Sequence, residues 1–206
     1  MTRRNLAGIR VAILATHGVE QSELTEPRKA LEEAGAETTL IAPKRGKIQA
    51  MKHGEKAMQF DVDLTLDEAN PSRFDAVLLP GGALNADALR AEPRAKELVR
   101  RIDEAGKPIA VICHGAWLLV SAGLVRRRTL TSYRSIQDDI RNAGGHWMDK
   151  EVVRDRNWIS SRETADLPAF NRAMLVLFGE RWLIRELPIV MGGLIPVSIA
   201  TPASRQ

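Results

Sequence analysis

The chain has one cysteine, one tyrosine and no apolar run long enough to span a membrane. Each shortage excludes something. One cysteine cannot close an internal disulfide, so no stapled extracellular framework holds this fold. Four Trp, four Phe and one Tyr in 206 residues leave little material for a base-stacking surface. The formal charge is +4, but the 30 basic residues are dispersed among 26 acids. Such dispersion does not build a nucleic-acid face, and Arg126, Arg127 and Arg128 read as a solvated turn. Leu187 to Ala200 is apolar but is interrupted by Pro188, Gly192, Gly193 and Pro196, and falls short of the ~20 residues that cross a bilayer as a helix. The opening MTRRNLAGIRVAILA turns from basic to apolar, yet its apolar part has only a strand's length and lacks a cleavage site. The expectation is a cytoplasmic protein without a membrane partner.

What is present is a repeated alternation of strands and helices. Ile9 to Ala15, Glu37 to Ala42, Asp75 to Leu79 and Pro108 to Ile112 are short apolar runs, the pattern of strands covered on both faces. Between and after them, Thr25 to Ala34, Glu92 to Glu104, Gly115 to Ala122 and Ser135 to Ala143 read as helices ended by glycines. Val152 to Asp155 and Trp158 to Ser161 flank Arg156-Asn157 as a hairpin. Asp166 to Leu183 carries Leu167, Phe170, Met174, Leu177 and Phe178 on one face. This order predicts an α/β fold with a mainly parallel central sheet and helices on both faces. One domain over residues 1–186 is expected, followed by a tail over 187–206.

The apolar run PIAVI ends directly on Cys113, so a thiol stands where a buried strand turns into a helix. That is the geometry of a nucleophile elbow, although Val111 occupies the first glycine position of the usual pattern. At the carboxyl ends of parallel strands such a side chain faces the cleft where open α/β sheets hold ligands. The following helix N-terminus would favour a thiolate. The N–H of His114 would meet a developing oxyanion, and Gly115 would let the turn pass without a Cβ clash. The bland alternative is a small buried hydrophobe at a strand end.

A low pKa alone would not make this thiol a catalyst. At pKa about 8.5 roughly 3% is ionised at pH 7. Lowering the pKa to about 5.5 raises that fraction about thirtyfold, while a Brønsted slope of roughly 0.4–0.5 takes back about twentyfold. Positioning and an oxyanion site must supply the rest.

The corner AVICHG, the turn LLPGG, the segment HGVEQSEL and the stretch SSRETADLPAF, in this order from about Ile9 to Phe178, resemble the ThiJ/PfpI superfamily. NPSRFDAVLLPGG, GKPIAVICHG and TSYRSIQDDIRNAGG look especially like its PfpI branch. The resemblance implies a flavodoxin-like sandwich and a cysteine-dependent hydrolase with Cys113 as nucleophile and His114 as the histidine of the site. It implies Glu20 as the glutamate that contacts the cysteine, with Glu23 as the alternative in the same segment. That contact is productive only if the carboxyl holds a proton it can donate to sulfur. It further implies a homo-oligomer, a dimer or a hexamer built from dimers, in which Asp87 of a neighbouring copy pairs with His114. Gly81 and Gly82 match the turn that brings a backbone N–H to the oxyanion position.

The implied substrates are peptides or small carbonyl compounds such as methylglyoxal and its early adducts, and the implied setting is stress protection. A redox sensor or stress chaperone built on oxidation of Cys113 is the alternative from another class. No cofactor is expected. His17, His53 and His146 are scattered without metal-ligand spacing, so no metal site is expected either. Tyr133 is a candidate pocket residue or a core residue, and Trp117 reads as packing or interface.

Overall fold

The computed structural model describes residues 5–52 and 54–191, with the side chains of 181–191 outside that description. His53 and residues 192–206, most of the expected tail, therefore lie outside the described residues. Seven strands form the central sheet, in the order β10-β11-β7-β6-β1-β2-β5. Their ranges are β1 Arg10–Leu14, β2 Glu37–Ala42, β5 Leu64–Thr65, β6 Ala76–Leu79, β7 Ile109–Ile112, β10 Val152–Asp155 and β11 Trp158–Ser161. All neighbours are parallel except β10 and β11, which form the expected hairpin, with Arg154 opposite Ile159. Arg156, at its turn, has a φ of 53°. Two short sheets lie apart from this one: the hairpin β3 Lys47–Lys52 with β4 Glu55–Asp61, and β8 Thr129–Leu130 with β9 His146–Trp147.

Among the described residues six α-helices accompany the sheet: α1 Gln21–Glu33, α2 Ala83–Ala91, α3 Pro93–Glu104, α4 Ala116–Ser121, α5 Gln137–Asn142 and α6 Leu167–Met191. The central strands divide their side chains by parity, as a period of two requires. Val11, Ile13, Leu78, Ala110 and Ile112 pack on one face with Leu24 and Leu31 of α1 and with Phe170, Met174, Leu177 and Phe178 of α6. Ala12, Leu14, Val77, Leu79, Ile109 and Val111 pack on the other with Leu98, Val99 and Ile102 of α3, Leu118 and Leu119 of α4, and Ile140 of α5. Each large aliphatic side chain so buried contributes roughly 1.5–3 kcal/mol. The spacing 95, 98, 99, 102 gives α3 its buried stripe, and Pro93 starts that helix where a missing N–H costs nothing.

Three expectations need correction. Helix α1 begins at Gln21, four residues before the expected start, and contains Pro27. Arg128 is not a solvated turn residue. Its side chain is 7% exposed, and its guanidinium donates to Asp103 at 2.8 Å and to Asn157 Oδ1 at 2.9 Å while lying over Trp158. Helix α6 continues to Met191, eight residues beyond its expected end and into the expected tail. Among the described residues, no helix is long and apolar enough to cross a membrane.

Candidate active site

The chain leaves β1 toward β2 on one side of the sheet and crosses to β6 on the other, so β1 and β6 border the point where strand order reverses. In open α/β sheets the crevice outside this point holds the ligand. Three connections meet at this end of the sheet: the β1–α1 loop, the Pro80-Gly81-Gly82 turn after β6, and the corner after β7.

At that corner Cys113 has a φ of 59°, a left-handed conformation uncommon for a residue with a Cβ. Strain of this kind, of order 1–3 kcal/mol, persists only where surrounding contacts fix the backbone. Here the contacts are close. A Cβ on Gly115 would lie 2.6 Å from the carbonyl oxygen of Leu79, and one on Gly81 would lie 2.6 Å from Cys113 Cβ. The turn itself is clamped by buried Asn85. Its Oδ1 accepts from Thr16 N–H at 2.7 Å, and its Nδ2 donates to the carbonyls of Pro80 and Gly81 at 3.1 and 2.9 Å.

The glutamate against the thiol is Glu23, not Glu20. Glu20 is still extended, with φ −69° and ψ 119°, at the entrance to α1, and its backbone bridges to Met51 of the β3–β4 hairpin. Its carboxylate accepts from Ser22 Oγ at 3.4 Å. Glu23 lies three residues into the turn, where a helical Cβ points back toward the N-terminus, and that direction is the carboxyl end of the sheet. It is 1% exposed. Its Oε2 accepts from Gly81 N–H at 2.8 Å, and the carboxyl also hydrogen-bonds Cys113. Burial pushes Glu23 up to about 8, against the opposing pull of the Gly81 N–H. At neutral pH Glu23 is therefore mostly a carboxylic acid and a hydrogen-bond donor.

Cys113 is 7% exposed. Burial, and next the charge that Glu23 carries when ionised, push the thiol up; the N–H groups of His114 and Gly82 donate to the sulfur and pull it down. The expected help from a helix dipole is small, because Cys113–Gly115 form a 3₁₀ turn and α4 beyond it has only six residues. The two glycines divide the work: the N–H of Gly81 holds the carboxyl, and that of Gly82 points at the sulfur.

The ring of His114 has Nδ1 3.3 Å from Cys113 Sγ and Nε2 3.3 Å from Ser135 Oγ. Burial lowers its pKa, which favours the neutral imidazole. Tyr133 stacks on the ring at 4.7 Å between centroids, and Trp117 meets it edge-on at 5.3 Å. Both aromatics thus belong to the site's wall. Asp87 stands on α2 and is exposed. His17 accepts from Gln49 N–H through Nδ1 at 3.1 Å, so it fastens the β3–β4 hairpin. Ser135 escaped sequence reasoning, since nothing in its neighbours marks it.

The arrangement joins a thiol to a neutral base, a protonated acid and two backbone donors. These parts suit addition of sulfur to an electrophilic carbon.

Comparison with known proteins agrees in extent with this fold. The sequence pattern described as DJ-1/PfpI family matches residues 9–177. "Deglycase PfpI" of Pyrococcus furiosus is 42% identical over 169 residues, covering 82% of this chain and 99% of that protein. "Putative cysteine protease YraA" of Bacillus subtilis is 41% identical over 168 residues, covering 82% and 97%. The crystal structure of Drosophila melanogaster DJ-1beta superposes with a TM-score of 0.75 at 25% identity, covering 88% of this chain and 97% of that one. The chain belongs to the DJ-1/PfpI family.

Proposed function

We propose that this protein is a cysteine-dependent hydrolase acting on small 1,2-dicarbonyl compounds such as methylglyoxal, free or as their early adducts, in the manner the name deglycase gives to its relatives. The observation that carries the reading is the enclosure of Cys113. A cysteine only 7% exposed, its sulfur under the Gly82 and His114 N–H groups, suits a carbonyl compound of a few atoms better than a folded polypeptide.

The resting site at neutral pH holds a thiol, a carboxylic acid and a neutral imidazole. As the S–C bond forms at the aldehyde carbon, the carbonyl π pair moves to oxygen and the thiol proton passes to His114 Nδ1. The N–H groups that held the sulfur stabilise the developing negative charge, and Glu23 stays protonated and donates to sulfur. Returning the proton to oxygen gives a hemithioacetal. Moving the C–H proton of this carbon to the neighbouring carbonyl carbon, with His114 as carrier, while the hydroxyl proton passes to the ketone oxygen, yields a thioester of a 2-hydroxy acid. Water then cleaves the thioester, releasing the acid and restoring the thiol. The net reaction is addition of one water to the dicarbonyl, without a redox cofactor.

The redox-sensor alternative draws less support. Oxidation favours exposed, low-pKa thiolates, and burial here pushes the thiol the other way. The reading extends to a cytoplasmic homo-oligomer in which exposed Asp87 approaches a neighbouring copy, to be checked by sedimentation of wild type beside Asp87→Ala.

The test of function is incubation of wild type and Cys113→Ala with methylglyoxal and, separately, with a peptide. Loss of dicarbonyl with equimolar 2-hydroxy acid in wild type alone is the expected result. Equal activity of the two proteins would reject the role of Cys113. Cysteine-dependent peptide cleavage without dicarbonyl consumption would reject the substrate class.

A further inference from the structure

We infer that Ser135 is a positioning residue for His114, setting from within the same chain which ring nitrogen carries the proton. The inference rests on the hydrolase reading above for its role in turnover, but its geometry stands apart from any substrate.

The His114 ring is bracketed at both nitrogens, with Cys113 Sγ and Ser135 Oγ each at 3.3 Å. In a neutral imidazole one nitrogen donates and the other accepts, and the partner of one decides the state of the other. The thiol is protonated in the resting site, so its S–H needs an acceptor, and the nitrogen facing it is Nδ1. The ring proton then lies on Nε2, and the Ser135 hydroxyl accepts it. The lone pair of Nδ1 is left aimed at the sulfur whose proton it must take.

Ser135 is held where this works. It sits in the 3₁₀ turn Arg134–Ile136. At one end Tyr133 N–H donates to the Cys113 carbonyl at 3.2 Å, and at the other Ile136 N–H donates to the Tyr133 carbonyl at 3.2 Å while its side chain is 1% exposed. The stacked Tyr133 ring limits tilting of the imidazole. A hydroxyl partner also differs in kind from a carboxylate. It orients the ring without adding negative charge, so the imidazolium gains little and the neutral base persists, in keeping with the lowered pKa of His114. An acid reaching His114 from a neighbouring copy would have to share a nitrogen that already has this partner.

Two measurements on the full-length protein test the inference without any substrate. Ring nitrogen shifts of His114 in ¹⁵N-labelled protein report the tautomer. The proton on Nε2 in wild type, and a mixture of tautomers in Ser135→Ala, is expected. Alkylation of Cys113 by iodoacetamide against pH reports the base. Ser135→Ala is expected to slow it about three- to tenfold near pH 7 and to displace its rising limb, the size a single solvent-accessible hydrogen bond supports. Ser135→Thr, which keeps the hydroxyl, is expected to restore the profile. A wild-type proton on Nδ1, or a Ser135→Ala alkylation profile superimposable on wild type, would overturn the inference. If the tautomer and alkylation respond but methylglyoxal is not consumed, the substrate reading falls and Ser135 keeps its role. If methylglyoxal is consumed but neither responds, the role of Ser135 falls alone.

Discussion

Glu23→Gln is the most informative single substitution, because it removes one proton equilibrium and almost nothing else. Glutamine is nearly isosteric, its oxygen can still accept from Gly81 N–H, and its NH₂ can still donate to sulfur. In the wild type the carboxyl has an ordinary value of 4.5 when the chain unfolds and is raised to about 8 by burial when it folds. The folded state therefore binds this proton more tightly, and between these values the unfolded chain carries fewer protons than the native one. Stability falls as pH rises through that window. At about 1.4 kcal/mol per tenfold change in proton activity, raising the pH from 5 to 8 costs the wild type on the order of 3–4 kcal/mol through this group. The glutamine variant escapes that cost. Below pH 8 the thiol stays protonated in both states and contributes little. Urea unfolding of both proteins at pH 5, 6, 7 and 8 measures the difference: the variant should gain on wild type steadily over the series. Parallel curves would place the proton loss of Glu23 in the ordinary carboxylate range and refute the buried-acid account of the site.

Two further substitutions probe the frame around the sulfur. Gly81→Ala would push a methyl group to within 2.6 Å of Cys113 Cβ and against the Glu23 carboxyl. Overpacking of this kind costs ~1–3 kcal/mol, and the displaced carboxyl should slow iodoacetamide labelling of Cys113 at least tenfold; a folded variant labelled at the wild-type rate would refute the close fit. Asp103→Ala removes the oxygen that accepts from Arg128, Asn157 and Trp158 Nε1 at 2.8, 2.9 and 2.7 Å. The guanidinium keeps Asn157 Oδ1 and the Asp155 carboxylate 3.9 Å away, so loss of the Asp103 contact should cost about 1.5–3 kcal/mol in urea unfolding, and an unchanged stability would show that Asp103 does not hold Arg128.

The parallel sheet was legible because its strands are continuous apolar runs closed by glycine turns, and the β10–β11 hairpin because Arg156-Asn157 stands between two alternating segments. The β3–β4 hairpin, α2 and the two-residue strands β5, β8 and β9 were not marked. Every residue of strand β4 is exposed or half-buried, so it lacks the apolar signal that reveals strands. The start of α1 was obscured by Pro27, which usually stands near a helix's first turn but here lies seven residues in. That offset bears on the site: a helix beginning at Gln21 makes Glu23 the inward glutamate, whereas a loop through this segment pointed to Glu20 with Glu23 as the alternative. Cys113, His114 and the paired glycines could be read directly because one tight corner holds them in sequence. Ser135 could not, since 21 residues separate it from His114 and tertiary contacts such as the Tyr133–Cys113 backbone bond bring it there.

The central claim is that substrate carbon becomes bonded to Cys113 and leaves as product. Rapid-quench mass spectrometry with ¹³C-labelled methylglyoxal tests it most directly. The account predicts a labelled adduct on Cys113 that forms and decays as labelled 2-hydroxy acid appears, and neither adduct nor acid in Cys113→Ala. Labelled acid produced at the wild-type rate by Cys113→Ala, or an adduct on Cys113 that never yields acid, would contradict it.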